Sequence, residues 1–243
     1  YNSTYNDPIY VGYMYGTTGS LANNRINTND STIKTVIDAW YQSNLLNNYD
    51  KFISKTAIYC NDRSNTNYSI SNDFNFGSYI RLNKENNHIP APTYKCGVDE
   101  NNELFENTQA IADKFSASDA GGGNGQLKYP IALMTADEIA FAGGVAGNKL
   151  FSPYAWYYAN SKGASITGTD GWWSLSPDDF WGGSGANVWW NYGSEDPGSL
   201  AYGFVHGVYG VRPAISLASC VGIKSGYGTP ESPYEVDYTG SCN

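Results

Sequence analysis

The sequence predicts an α+β protein in which a few helices accompany short antiparallel strands and long, irregular glycine-rich loops. Three observations lead to this prediction. Two segments carry apolar residues at helical spacing behind a capping residue, and several short apolar or alternating segments lie between glycine turns. Glycine is also concentrated late in the chain: of the 27 glycines, 22 follow residue 110, with six of the 7 tryptophans.

The first helix is predicted over residues 31–46. Either Asp30 or Ser31 can cap its N-terminus. The apolar residues that recur at helical spacing are Ile33, Val36, Ile37, Trp40 and Tyr41. Asn47 and Asn48 end the helix, because asparagine favours turns over helix interiors.

The second helix is predicted to begin at Thr135. Thr135 and Glu138 form a capping-box pattern, in which the hydroxyl serves the amide of the third helical residue and the carboxylate reaches back. Asp137 adds a negative charge at the positive end of the helix. Gly143 and Gly144 stop the helix, and residues 130–134 read as a short strand that leads into it.

The remaining strands are predicted beyond Gly171, where short apolar segments alternate with glycine turns. Their ranges are 172–177, 186–190, 200–206, 211–217 and a closing edge strand at 234–238. Pro213 is best placed at a bulge or at a strand start, because proline cannot donate to a ladder.

Composition excludes several classes of function. The 243 residues are 41% hydrophobic and 15% aromatic, but only 15% charged, against about 25% in an average globular chain. A net charge of −9 argues against nucleic acid, since such binding neutralises phosphates. No apolar run reaches the roughly 18–20 residues of a membrane span, and no signal-peptide pattern begins at Tyr1.

The four cysteines are Cys60, Cys96, Cys220 and Cys242. They form no C-x-x-C pair and lie at no zinc-finger spacing from a histidine, so we expect no structural metal site. Of the three pairings, the simplest is sequential, Cys60 with Cys96 and Cys220 with Cys242, and the alternative is four free buried thiols in a cytosolic protein. Many Asn, Tyr, Ser and Thr residues with few Lys and Met favour an exported bacterial protein.

Three segments in order carry a family resemblance: 131–138, Gly171-Trp-Trp-Ser-Leu-Ser-Pro177 and Gly210-Val-Arg-Pro-Ala-Ile-Ser-Leu217. Over roughly residues 55–220 the chain resembles the C-type-lectin-like fold. The version is that of formylglycine-generating-enzyme-like domains, of variable proteins of diversity-generating retroelements, and of exported pilin-like surface proteins of gut bacteria. The resemblance implies a module over 55–243, with residues 1–54 as a helical extension packed on it, a possible stem or filament contact.

Five residues of these motifs are expected to be structural: Thr135 and Glu138 of the capping box, Arg212, Trp172 and Trp173. Arg212 stands between Val211 and Pro213 in an apolar strand, and a buried guanidinium must be paired. We expect it to bridge backbone carbonyls or a carboxylate such as Asp137 or Glu138, although contact with a ligand stays an alternative. Trp172 and Trp173 should divide, one facing the core and the other a second layer.

The stretch 178–206 holds more aromatic residues than one alternating strand pair can bury. Adjacent Trp189 and Trp190 must point to opposite faces of a strand, so at least one should be exposed or lie in a groove. Rings interleaved with small polar residues are typical of recognition surfaces, and in the resembled variable proteins this region binds the ligand. The predicted ligand-binding residues are Asp179, Trp181, Asn187, Trp189, Trp190, Tyr192, Glu195, Tyr202 and His206. The alternative is that these rings pack beneath the glycine-rich loops.

The sequence gives little support for catalysis or for cofactors. It contains neither G-x-S-x-G nor H-E-x-x-H, and its cysteines do not match the active pair of the formylglycine-generating enzymes. The calcium-binding motifs of sugar-binding lectins are replaced by Glu195-Asp-Pro197 and Trp190-Asn-Tyr192. We therefore expect a binding protein with no cofactor and no metal.

The predicted function is recognition of a protein or glycan ligand at the bacterial cell surface, in the manner of an adhesin. A second hypothesis is a pilin-like filament subunit that contacts like subunits through its Asn- and Tyr-rich surface. A third is an enzyme of the formylglycine-generating type.

Overall fold

The structure is a computed structural model, and it describes residues 1–65, 69–83, 90–97, 112–147, 171–192, 196, 198–229, 231–240 and 242. These residues form a mixed α+β fold, as the sequence predicts. The helices are α1 (Leu21–Asn24), α2 (Thr32–Asn44), α3 (Gly77–Leu82) and α4 (Ala136–Phe141). None of the described helices is both long and apolar enough to cross a membrane.

The strands are short apart from two in the second part of the chain. They are β1 (Met14–Tyr15), β2 (Asn29–Asp30), β3 (Tyr59–Asp62), β4 (Phe74–Asn75), β5 (Ala112–Ser116), β6 (Gly125–Gln126), β7 (Ala132–Leu133), β8 (Val145–Ala146), β9 (Trp172–Trp181), β10 (Gly185–Asn191), β11 (Ser199–Phe204), β12 (Pro213–Ala214), β13 (Gly222–Ser225) and β14 (Glu235–Asp237). The largest sheet among the described residues has the order β4-β9-β10-β11-β8. Within it β8 runs parallel to β11, and the other pairs are antiparallel.

Strands β9 and β10 form a hairpin whose turn is built for glycine. Gly183 has a φ of +72° and Gly185 a φ of +155°, both in the region that side chains disfavour. The amide of Ser184 donates to the carbonyl of Trp181 at 2.8 Å and closes the turn. The hairpin therefore places Trp181 at the tip of β9, next to solvent.

Each face of this sheet meets a different apolar cluster. One face joins the larger core, which also holds N-terminal side chains such as Tyr13 and Ile37 together with Leu175 and Val188. The opposite face is covered at one end by α3 and α4, through a smaller cluster: Leu82, Ala136, Ile139, Ala146, Trp172, Trp189 and Leu200. The first 54 residues thus share the larger core, while the predicted domain boundary after residue 54 stays a prediction.

Helix α2 begins where one of the two predicted caps lies. The Ser31 hydroxyl accepts a hydrogen bond from the amide of Lys34, so Ser31 rather than Asp30 is the N-cap. The buried apolar residues are Ile33, Ile37 and Tyr41. Val36 and Trp40, which belong to the same helical pattern of apolar residues, are 53% and 44% exposed.

The buried side of α2 also holds an ion pair. Lys34 and Asp38, one turn apart, lie on the buried side, and their Nζ and Oδ2 atoms are 2.7 Å apart. The buried side of the helix extends from Ile33 to this ion pair. Val36 lies on the opposite side and faces solvent. Burial raises the pKa of Asp38, although the hydrogen bond from Lys34 opposes that shift.

The predicted elements around α4 are present in the structure. Thr135 accepts from the amide of Glu138, and Glu138 accepts from the amide of Thr135, which completes the capping box. The predicted strand before the helix is only β7, and the predicted strand over 211–217 is only β12, which pairs with it. Pro213 stands at the start of β12, where its missing amide costs no ladder bond.

Both predicted disulfides are formed. Cys60 bonds to Cys96 and Cys220 to Cys242, with Cα–Cα distances of 5.2 and 5.5 Å. The second bond closes the base of the β13–β14 hairpin. The alternative of four free thiols was therefore wrong, since the structure has no free cysteine.

A polar network is buried beneath the N-terminal segment. Arg63 and Asp113 are fully buried and form an ion pair. The Arg63 guanidinium also donates to the side-chain oxygens of Asn24 and Asn27. Asp113 accepts further hydrogen bonds from Asn27 and Asn124, at 3.0 and 2.6 Å. This network ties the N-terminal residues to β3 and β5.

Candidate functional site

The register of β9, β10 and β11 decides which aromatic residues share a face. Asn187 lies opposite Phe204, and Trp189 lies opposite Tyr202. Because directly paired residues point to the same side, one face carries all four. Helices α3 and α4 cover only the end of this face that holds Trp189.

An exposed group of rings occupies the other end, and we call it the aromatic patch: Tyr5, Trp181, Tyr202, Phe204 and His206. Tyr5, Trp181 and Tyr202 are 40%, 38% and 46% exposed. The Trp181 ring lies 5.4 Å from that of Phe204 and 6.2 Å from that of Tyr202, nearly perpendicular to both. Tyr5 packs on His206 with ring centroids 4.2 Å apart. The structure thus brings Trp181, Tyr202 and His206 together, as three of the nine predicted ligand-binding residues.

Two more of the predicted residues lie beneath the patch rather than on its surface. Asp179 and Asn187 are 6% and 1% exposed. The indole nitrogen of Trp181 donates to Asp179 at 2.7 Å, and the amide of Asn187 donates to the other carboxylate oxygen at 2.6 Å. Because both side chains are buried, they orient Trp181 and are not placed to contact a ligand.

Trp189 and Trp190 point to opposite faces, as adjacent strand residues must. Trp189 is only 2% exposed under α3 and α4, so it does not contribute to the patch. Trp190 is half-buried on the other face, where its ring stacks on Tyr209 at 4.3 Å and contacts Tyr192 at 4.4 Å. Trp190 and Tyr192 are therefore also separate from the patch. Glu195 lies outside the described residues.

Tyr5 and Phe204 complete the patch, and neither was among the predicted site residues. Phe204 follows Tyr202 by two residues on the same strand, so the alternation of β11 could have revealed it. Tyr5 is almost 200 residues away in sequence. The amide of Ala186 donates to the Tyr5 carbonyl at 2.8 Å and holds the N-terminal segment against the sheet. No local pattern could have indicated that contact.

Asp137, one of the partners expected for Arg212, is paired with another residue. Asp137 accepts from Nε of Arg81 at 2.7 Å, and Arg81 also donates to Asp62 at 2.6 Å. Arg212 is half-buried rather than buried, and its guanidinium lies 5.0 Å from the Trp172 ring centroid. The proposed pairing with Asp137 was therefore wrong, since Arg81 on α3 fills that role and fixes α3 to α4.

The electrostatics of this ion pair favour its charged state. Burial alone would lower the pKa of Arg81, but Asp62 and Asp137 outweigh it and hold the pKa above its ordinary value. The expected division of Trp172 and Trp173 matches the two clusters, with Trp173 in the larger core and Trp172 in the smaller one.

A concave site of about 350 Å³ lies beside this ion pair. Its wall includes Asp62, Arg81, Asp137 and Glu138, and Tyr94 stands at 73% exposure on its border. Arg81 already engages Asp62 and Asp137, and Glu138 caps α4. These four charged side chains therefore serve the packing of the helices.

The described residues offer few groups for metal binding or for thiol chemistry. Among them, no group of three or more His, Cys, Asp or Glu side chains is placed to hold a metal ion. Every cysteine is engaged in a disulfide. The aromatic patch consequently offers a ligand ring faces rather than reactive groups.

Comparisons of the chain with protein-family models, with curated proteins and with solved structures found no significant match.

Proposed function

We propose that the chain is a non-enzymatic, adhesin-like binding module of the C-type-lectin-like fold, which acts outside a bacterial cell. It recognises a protein or glycan ligand through the aromatic patch. The observation that carries this proposal is the open end of the sheet face. Trp181 and Tyr202 are exposed there beside Tyr5, while the rings at the other end are covered by helices.

Two features of the patch support a recognition role. Exposed aromatic rings are the side chains that contribute most binding energy at interfaces, because they bury large areas with few rotatable bonds. Trp181 is also held in place from below by Asp179, so little side-chain entropy is lost on binding. The patch is thus preorganised for contact.

The extracellular location rests on the disulfides. Disulfide bonds form and persist in oxidising compartments and are rare in the cytosol. The chain has two, and the one between Cys220 and Cys242 closes an exposed hairpin where a reductant would have access. This supports export, and the three ordered motifs support the C-type-lectin-like fold.

The test is a binding screen against arrays of glycans and of host surface proteins, made with the wild type and with Trp181→Ala and Tyr202→Ala. We expect at least one ligand whose binding both substitutions weaken. Trp40→Ala is the matched control, because Trp40 is similarly exposed but lies on α2. Equal binding by the wild type and both patch variants would refute the proposed surface.

A second function, that of a pilin-like filament subunit, is favoured by the β13–β14 hairpin. Ile223, Tyr227 and Tyr234 are 63%, 84% and 56% exposed on it. A two-stranded hairpin is marginally stable alone and gains from a further layer or strand. If like subunits pack on it, sedimentation of the purified chain should show concentration-dependent polymers that Tyr227→Ser with Tyr234→Ser abolishes. A monomer at every concentration would contradict this function.

A further inference from the structure

We infer that the ligand of the aromatic patch is a neutral carbohydrate, which stacks an apolar ring face on the indole of Trp181. This inference rests on the proposed function and names its ligand class. Five observations carry it: the engaged indole nitrogen, the angles between the rings, the polar groups near Trp181, the charge around the rings and the size of the exposed area.

Trp181 offers ring faces and no free donor. Its indole nitrogen donates to Asp179 at 2.7 Å, and Asn187 fixes Asp179 through the other oxygen. A ligand therefore meets the apolar π-surface of an oriented ring. A pyranose ring has one or two faces of C–H groups that can pack on this π-surface. Its hydroxyls project around the edge.

The rings form a corner rather than a flat platform. The plane of Trp181 stands at 73° to Tyr202 and at 85° to Phe204. A compact ring placed in this corner contacts the indole with one face and the neighbouring ring with an edge. A flat partner surface would reach only one of the two walls.

Polar groups lie around Gly182, the residue that follows Trp181 in the chain. The amide of Gly182 donates to Asp73 at 2.6 Å, and the backbone of Ser71 lies close against Gly182. Ser71, Asn72 and Ser184 are exposed there. Their hydroxyl and amide groups can both donate and accept, which suits the hydroxyls at the edge of a sugar.

The charge around the rings disfavours an anionic ligand. The chain carries a net charge of −9. The four cation–π contacts present among the described residues involve Phe52, Tyr41, Tyr129 and Trp172, and none involves a ring of the patch. Sulfated or sialylated glycans would thus approach a negative protein on which no described Lys or Arg side chain stacks on a ring of the patch.

The exposed rings alone cover a smaller area than a whole protein–protein interface. Tyr5, Trp181 and Tyr202 are 38–46% exposed, which leaves roughly 250 Å² of ring surface in total. Each partner of a stable protein–protein interface buries about 800 Å². One or a few sugar residues match the smaller value.

The test is isothermal titration of the full chain with three sets of probes. The first is neutral cello-, xylo-, manno- and galacto-oligosaccharides, the second is sulfated and sialylated oligosaccharides, and the third is the host surface proteins of the screen above. We expect binding to a neutral oligosaccharide, weakened about tenfold or more in Trp181→Ala and changed by less than about twofold in Trp40→Ala. A thermal melt of Trp181→Ala shows whether that variant is folded, and Trp181→Phe, which keeps an apolar ring, should retain part of the affinity.

The other outcomes separate the two proposals. Trp181-dependent binding of only a protein or only an anionic glycan would overturn the inference and leave the proposed function standing. Binding of a neutral oligosaccharide that Trp181→Ala does not weaken would overturn the inference as well. If no probe binds at all, both proposals fail.

Discussion

The two ends of one sheet face both carry aromatic residues, which are buried at one end and exposed at the other. Trp172, Trp189 and Leu200 lie under α3 and α4 at one end. Trp181, Tyr202 and Phe204 lie at the other end, where the described helices do not reach. The strands alternate in the same way at both ends. The difference therefore arises from what packs on the strands, and an aromatic residue on this face is buried or accessible according to its distance from these two helices.

The largest expected effect comes from a matched pair of substitutions at the two ends. Trp189→Ala should lower the free energy of unfolding by about 3–5 kcal/mol, because it empties a packed site. Trp181→Ala should cost less, about 1–2 kcal/mol, because its ring is 38% exposed although its indole nitrogen donates to buried Asp179. Urea unfolding followed by circular dichroism measures both. Equal losses would mean that the two ends do not differ as described.

The buried polar network around Arg63 and Asp113 should stabilise the fold independently of the two ends of the sheet face. Burial alone would raise the pKa of Asp113, but Arg63 and the hydrogen bonds from Asn27 and Asn124 outweigh it and leave the pKa below its ordinary value. The unfolded chain then binds this proton more tightly than the folded chain. Ionised Asp113 therefore stabilises the fold above about pH 4, and this contribution is lost as the pH falls through the lowered pKa.

Asp113→Asn should accordingly cost about 3 kcal/mol at neutral pH and distinctly less near pH 3. Urea unfolding at both pH values gives the difference, and ligand binding by the folded fraction should not change. Asp119→Asn is the control, because that carboxylate is exposed in the glycine-rich loop. A loss that is the same at both pH values would show that the charge of Asp113 is not the cause.

A third prediction concerns the disulfide that closes the β13–β14 hairpin. In the chain-entropy account, a closed loop of this length contributes up to about 3 kcal/mol. Because the hairpin is exposed, Cys220→Ser with Cys242→Ser should cost less than that globally. Amide exchange should accelerate over residues 222–237 while the aromatic patch stays protected. Faster exchange at Ala186 or Val205 would instead show that the hairpin supports the patch.

The smallest expected effect concerns helix α4, which packs over Trp189. Thr135→Ala removes the side-chain cap of α4 and should cost about 1 kcal/mol. Since α4 packs on the cluster that holds Trp189, the fluorescence of that buried ring should become more solvent-sensitive at intermediate urea concentrations. Ser43→Ala, at an exposed position of α2, is the control and should cost nothing measurable. If Thr135→Ala is as stable as the wild type, the N-cap of α4 does not contribute to the packing of that helix over Trp189.

Local signals allowed prediction of the α+β class, the cap of α2, the capping box of α4 and the strands that became β9, β10 and β11. Each depends on residues a few positions apart. Helix α3 was not predicted, because it has six residues and its N-cap, Phe76, makes no side-chain capping bond. Without α3, the sequence could not distinguish the covered Trp189 from the exposed Trp181.

The candidate site was predictable only in part for the same reason. The excess of rings in 178–206 predicted exposure for Trp189 or Trp190, but Trp189 is buried and Trp190 half-buried. The exposed rings are instead Trp181 and Tyr202, which meet near His206 in the patch. The roles of Asp179 and Asn187 depend on a hydrogen bond between β9 and β10 that spacing alone does not show. Arg81 and Asp137 pair across 56 residues, which is beyond any local pattern.

The place of Tyr5 has a practical consequence for anyone who isolates this surface. Its ring packs on His206 because the main chain at Ala186 anchors the segment that carries it. A synthetic peptide copied from 178–206 would lack that ring, and a graft of the same stretch onto another scaffold would lack the anchored segment. The surface is transferable only as a whole folded unit.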